Sequence, residues 1–189
     1  MRIALVSLLI ATMLITLPGC VPLVAGGVGA GVALANDRRT SGIYIEDQSI
    51  ELKAQRRISD QLGDQVHIEV ASYNLSVLLT GEAPTAALRS DVENIVKAIP
   101  NVRQVYNEIV PASPASFSSR SNDGFLTTKV KARIVEANKF NVLHVKVVSE
   151  SSVVYLMGIV THKEAEDATE VARTTSGVAK VVRLFEYRD

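Results

Sequence analysis

Apolar positions along this chain recur at two spacings, and the spacings alternate in a fixed order. Ile50, Ala54, Ile58 and Leu62 come every four residues, the narrow stripe of a helix with one buried face. Val66, Ile68 and Val70 then alternate with His67 and Glu69, as in a strand lying on a core. Ser72-Tyr73-Asn74 reads as a turn, after which Leu75, Val77 and Leu79 alternate again up to Gly81. Leu88, Val92, Ile95, Val96 and Ile99 return to helical spacing, and Val102, Val105 and Ile109 mark a third strand. The same order follows downstream: Leu126, Val130 and Ile134, then Leu143 to Val147, Val153 to Val160, Ala165 to Thr175, and Val178 to Phe185. Each unit is therefore expected to be α+β, in the order αββαβ, with a three-stranded mixed sheet covered by two helices on one face.

The two units are copies of one another. Val66-His67-Ile68-Glu69-Val70 falls on Leu143-His144-Val145-Lys146-Val147, and Leu79-Thr80-Gly81 on Leu156-Met157-Gly158, both at an offset of 77. Asn101-Val102-Arg103-Gln104-Val105 falls on Gly177-Val178-Ala179-Lys180-Val181 at an offset of 76. The first repeat is read as residues 44–110, the linker as 111–121 around Pro111-Ala112-Ser113-Pro114, and the second repeat as 122–189. Repeats of this size bury small cores, so the two are expected to pack on each other.

Upstream of the repeats the pattern is that of an address. Met1-Arg2 precedes an apolar run from Ile3 to Leu17, shorter than the roughly 20 residues of a permanent span, and residues 1–19 read as a signal peptide. The single cysteine of the chain ends it, in Leu17-Pro18-Gly19-Cys20. That run resembles a bacterial lipobox, which implies cleavage before Cys20, diacylation of its thiol, and, with Val21 following, an outer-membrane lipoprotein facing the periplasm. A free cysteine in an ordinary signal peptide is the alternative. Residues 20–43, rich in glycine from Gly26 to Gly31, are expected to form an acylated cysteine and flexible tether.

Composition narrows the chemistry. With 20 Lys+Arg against 20 Asp+Glu, the zero net charge argues against nucleic acid as a partner. One cysteine rules out a disulfide framework or a cysteine-zinc site, and His67, His144 and His162 show no metal-ligand spacing. His67 and His144 fall out of phase with the inward residues, so they should face away from the helices. Gly26 to Gly31 follows no strand and lacks the Gly-Lys-Ser/Thr ending of a phosphate loop, and Glu164, Glu166, Asp167 and Glu170 read as a solvated helix face. No cofactor, metal or catalytic residue is expected, and the chain is read as a non-enzyme.

The repeats differ in charge. Residues 44–110 carry six basic and ten acidic groups, a net of −4, whereas 118–189 carry eleven basic and nine acidic groups, a net of +2. On the first helix of the second repeat, Phe125 lies one residue, about 100°, off the stripe of Leu126, Val130 and Ile134. It shares a face with Lys129, flanked by Lys131 and Arg133, while the first repeat has Ser49 at that position. An aromatic ring beside cations suits an anionic lipid surface. The bland alternative is that Phe125 caps the core or packs against the first repeat.

The strand-glycine runs Val77-Leu78-Leu79-Thr80-Gly81 and Val154-Tyr155-Leu156-Met157-Gly158, with Gly177-Val178-Ala179-Lys180-Val181 before the last strand, resemble the BON domain. Asn101 stands for that last glycine in the first repeat, and Asn also accepts left-handed backbone angles. Two such domains behind a lipobox resemble the dual-BON outer-membrane lipoproteins of the DolP/YraP family. The resemblance implies that the second domain binds anionic phospholipid (phosphatidylglycerol or cardiolipin) through its first helix. It also implies support of envelope integrity, at cell division sites. Carried onto this chain, it puts Phe125, Leu126 and Lys129 nearest the lipid, with Thr128 and Lys131 looser and Arg133 flanking. Leu126 is claimed by the core stripe as well. The rival function is a scaffold whose acidic first repeat docks an envelope protein partner.

Overall fold

The computed structural model describes residues 36–112 and 117–189, with side chains in the second stretch from residue 122. The expected signal peptide, Cys20 and the glycine-rich tether lie outside the described residues, as do residues 113–116 of the linker. Residues 36–189 form one compact unit.

The first repeat runs α1 (Ser41–Leu62), β1 (His67–Tyr73), β2 (Ser76–Glu82), α2 (Ala86–Lys97) and β3 (Gln104–Asn107). The second runs α3 (Phe117–Ala137), β4 (Val145–Glu150), β5 (Val153–Val160), α4 (His162–Arg173) and β6 (Lys180–Tyr187). In each sheet the middle strand pairs antiparallel with the first and parallel with the last, the mixed αββαβ topology read from periodicity. Helix starts follow the polar residues that cap them. Thr40 accepts from the Ile43 amide, Thr85 from Leu88, and Thr161 forms a reciprocal capping box with Glu164.

Several boundaries move from the sequence reading, each for a local reason. Both helices that open a repeat start earlier: α1 at Ser41, inside the expected tether, and α3 at Phe117, inside the expected linker. The turn expected at Ser72-Tyr73-Asn74 lies at Asn74-Leu75, whose φ angles of 51° and 66° make the left-handed pair of a tight hairpin. Ser151 and Ser152 repeat it at 49° and 63°. Each turn is tied to its own first helix by a buried aspartate. Asp47 accepts from the Asn74 and Leu75 amides (2.8 and 2.9 Å), and Asp123 from Ser151 and Ser152 (2.9 and 3.0 Å). Leu143 and His144, expected in a strand, sit in a single 3₁₀ turn capped by Asn141.

Helices cover one face of each sheet and make one core per repeat: Ile50, Val77, Leu79, Val92 and Val96 in the first, Val130, Ile134, Val154, Leu156 and Ala168 in the second. The faces left bare are apolar too. Ala71, Tyr73 and Leu78 of the first sheet form a third buried cluster with Tyr155 and Met157 of the second. The sheets thus stack back to back, with helices outermost on both sides, and the expected packing of repeat on repeat takes place sheet to sheet.

The segment before α1 spans this seam. Arg38 forks onto Glu164 (2.6 and 2.7 Å) and donates to the Ile159 carbonyl, all in the second repeat. Arg39 pairs with Asp37 and Asp47 and lies over the Tyr73 ring at 4.1 Å, in the first. Residues 37–40 therefore belong to the folded unit rather than to the tether.

Candidate functional site

Helix α3 carries the residues singled out by sequence, and the structure divides them by depth. Leu126 is 3% exposed and packs with Val130 and Ile134 in the core, so it holds the helix down and presents nothing to a ligand. Phe125, one position earlier, is 66% exposed. It neither caps the core nor enters the seam, and the alternative that buried it there is overturned. Thr128 and Lys131 are exposed on the same side. Thr128 donates its hydroxyl proton to the Gly124 carbonyl (3.1 Å). Lys129 is half-buried and donates to the Ser176 carbonyl (2.8 Å).

Arg133 departs from the expectation of a flanking surface cation. Its guanidinium donates to the Val171 carbonyl and to the Thr174 and Thr175 hydroxyls at 2.9–3.3 Å, closing the C-terminal end of α4. That is where a cation is favoured by the carbonyls a helix leaves unsatisfied. Val135, by contrast, was missed. It is exposed, seven residues after Thr128 and so on the same face of the helix. The helical spacing could have shown it.

The three histidines occupy separate environments. His67 lines a cavity at the seam, in keeping with a sheet face turned away from the helices. His144 lies 3.3 Å through Nδ1 from Glu164, and the Arg38 hydrogen bond to Glu164 holds that carboxyl down to about 2. His162 stacks on Tyr187 with centroids 4.2 Å apart and meets Asp189 at 2.7 Å. Among the described residues no group of three or more His, Cys, Asp or Glu could hold a metal ion. None of the described helices is long and apolar enough to cross a membrane.

The first repeat offers a different surface. Ser49 is half-buried where Phe125 stands in the copy, and the exposed large apolar residues of α1 are Tyr44, Ile45 and Leu52.

Comparison with known proteins matches this architecture to a family. The BON domain pattern matches residues 46–111 and 122–189. The outer membrane lipoprotein DolP of Haemophilus influenzae is 36% identical over 177 residues, 93% of this chain and 92% of that protein. A 21 kDa hemolysin of Actinobacillus pleuropneumoniae is 31% identical over 153 residues, 80% of this chain and 79% of that one. Among solved structures, the C-terminal domain of CdsD, a type III secretion protein of Chlamydia trachomatis, aligns at a TM-score of 0.31 with 11% identity, over 73% of this chain and 96% of that one. A likeness that low carries no argument. The chain belongs to the BON-domain family, as a two-domain member closely related to outer membrane lipoprotein DolP.

Proposed function

We propose that this protein is a non-enzymatic outer-membrane lipoprotein, anchored by acylated Cys20 on the periplasmic side. Its second BON domain engages anionic phospholipid through the outer face of α3. The observation that carries the reading is Phe125, a large apolar side chain left 66% exposed by its own fold, beside Lys131 and Lys129. Phe125 enters the interface, Lys129 and Lys131 meet headgroup phosphates, and Thr128 and Val135 extend the contact along the helix. Leu126 and Arg133 act from behind, holding α3 in place.

Magnitudes say what kind of binding this is. Two lysines near an anionic surface contribute about 1 kcal/mol each. Partial insertion of Phe125 adds roughly 1–2 kcal/mol. The total of about 3–4 kcal/mol corresponds to a dissociation constant of roughly millimolar or weaker. Such a site cannot recruit the protein. A tethered domain at an effective concentration of about millimolar can still be positioned by it. In this reading the protein also supports envelope integrity and concentrates at division sites, as its resemblance to the dual-BON lipoproteins implies.

The test is flotation of residues 36–189 with vesicles of phosphatidylcholine, alone or with phosphatidylglycerol or cardiolipin, beside Phe125→Glu. Weak, salt-sensitive flotation with anionic lipid only, lost in the variant, is expected. Flotation unaffected by the substitution would move the function elsewhere.

One observation favours a second reading, a scaffold acting through the acidic first domain. Ile45 and Leu52, seven apart on α1, are both exposed on a helix that does not carry the aromatic of its copy. Envelope partners captured in a manner dependent on Leu52 and indifferent to Phe125 would support it.

A further inference from the structure

The seam between the two BON domains has two ends of opposite chemistry. At the β1–β2 turn, unlike charges meet: Lys146 reaches Glu51 and the Ser72 carbonyl, and Glu186 accepts from Asn74 and from Arg103. At the other end, acid meets acid. The β1–β2 register places Glu69 opposite Thr80 and His67 opposite Glu82, and strand parity puts all four on the same face as Ala71 and Leu78, toward the second sheet. Facing them are Glu150, the last residue of β4, and Asp123 of α3. A cavity of about 260 Å³ lies here, lined by residues of both domains that include His67, Glu69, Asp123 and Glu150.

Three of these carboxyls are nearly sealed from water, with Glu82 3%, Asp123 5% and Glu150 8% exposed. Asp123 accepts two backbone amides, from Ser151 and Ser152. Glu150 is bonded by the Thr80 hydroxyl across the seam, and burial, then Glu82, Asp123 and Glu69, push its carboxyl up to about 7. The phenol of Tyr155, packed beside it from β5, is raised to about 12, by burial first and then by Glu108 and Glu150. In the first domain the position that matches Glu150 is Tyr73, and Arg39 lies over that ring while pairing with Asp47.

We propose that Glu150 is a proton-operated catch between the two BON domains: protonated, it lets the acidic end of the seam close, and ionised, it repels Glu69, Glu82 and Asp123 and weakens the contact between the sheets. The catch does not depend on lipid binding, although Asp123 and Gly124 beside it immediately precede Phe125 on α3.

The sign follows from the proton count. Apart from its partner domain, Glu150 loses Glu82, Glu69 and part of its burial while keeping Asp123, and its carboxyl falls back toward the ordinary 4.5, whereas in the closed seam it keeps its proton up to about 7. Between those values opening releases a proton, so the open population rises about tenfold per pH unit and levels off above the upper value.

Met157 supplies a native probe. It is 1% exposed within the seam cluster, and the other two methionines of the chain are Met1 and Met13. Oxidation of Met157 to its sulfoxide by hydrogen peroxide, followed by peptide mass in the full-length protein in detergent micelles, reads how often the seam opens. Its rate is expected to rise by up to about 40-fold from pH 5 to 7 and to level off by about pH 8. In Glu150→Gln it should be slow and independent of pH. A flat profile in the unaltered protein, or an unchanged slope in Glu150→Gln, overturns the proposal. Glu69→Gln alters an exposed side chain of the same cluster and provides a second arm should Glu150→Gln fail to fold. It should lower the pH at which oxidation levels off, and an unmoved plateau overturns the proposal equally.

Discussion

At the scale of single residues, the repeat is written in positions where the backbone leaves no choice. A Cβ on Gly81 would meet the His67 carbonyl oxygen at 2.1 Å, and one on Gly158 would meet the His144 oxygen at 2.4 Å. The histidines align in the repeat because their backbone lies against that glycine, whereas their rings have diverged in use. Gly81 also has a φ of +106°, and Gly158 does not appear among the positive angles. Gly158→Ala is therefore expected to cost about 1–3 kcal/mol from the forced displacement alone. Gly81→Ala should cost about 1–2 kcal/mol more, for the left-handed backbone. Urea unfolding of residues 36–189 measures both. Phe125 was legible at this scale as well: a residue 100° off a strict core stripe has nowhere to go but out unless a neighbouring domain covers it.

At the scale of elements, equivalent helices have been put to different work. Asp47 and Asp123 tie α1 and α3 to their hairpins in the same way, and Asp47 also takes an arginine from the segment before its helix. That segment, Asp37 to Thr40, falls within the bounds of the expected tether, where its sequence marks the passage into folded structure but not what it packs against. Its arginines are held by Asp47, Tyr73, Glu164 and the Ile159 carbonyl, partners far along the chain. A chain beginning at Tyr44 leaves Asp47 buried without its cation, and should lose about 3–5 kcal/mol relative to one beginning at Asn36. Arg38→Ala tests the other half of the strap by pH. Glu164 is held at about 2 against an ordinary 4.5, so its contribution is present above 4.5 and lost as pH falls toward 2. Acid unfolding monitored by circular dichroism should show that part of the loss in the unaltered protein and not in Arg38→Ala.

For the molecule as a whole, the decisive feature is that both sheets are covered twice. Tyr73, Leu78, Tyr155 and Met157 would meet water if the domains were separated. Residues 36–112 and 117–189 prepared as separate chains should therefore each melt at least about 10 °C below the joined protein. Equal melting temperatures would mean that the seam adds nothing. The arrangement also leaves the outer faces of α1 and α3 free on opposite sides of the double sheet, so one domain can face lipid while the other meets a different partner.

Element order, the duplication and the core faces of the four α-helices among the described residues follow from the sequence, since periodicities of two and 3.6 report which side of an element is buried. The spacing leaves Phe125 open between lipid and a domain interface and Leu126 between core and lipid, and the tertiary structure exposes the first and buries the second. Other facts needed the tertiary structure. Leu78, between the alternating Val77 and Leu79, and the nearly continuous apolar run Val153 to Val160 leave an apolar second face on each sheet, and the pattern does not say what covers it. Packing of sheet against sheet answered that question. It also committed Arg133 to the end of α4 and Arg38 to Glu164, and brought Glu69, Glu82, Asp123 and Glu150 together from three strands and a helix. Such contacts join residues remote in sequence, and their energies depend on burial and neighbouring charge, quantities that spacing along a chain does not carry.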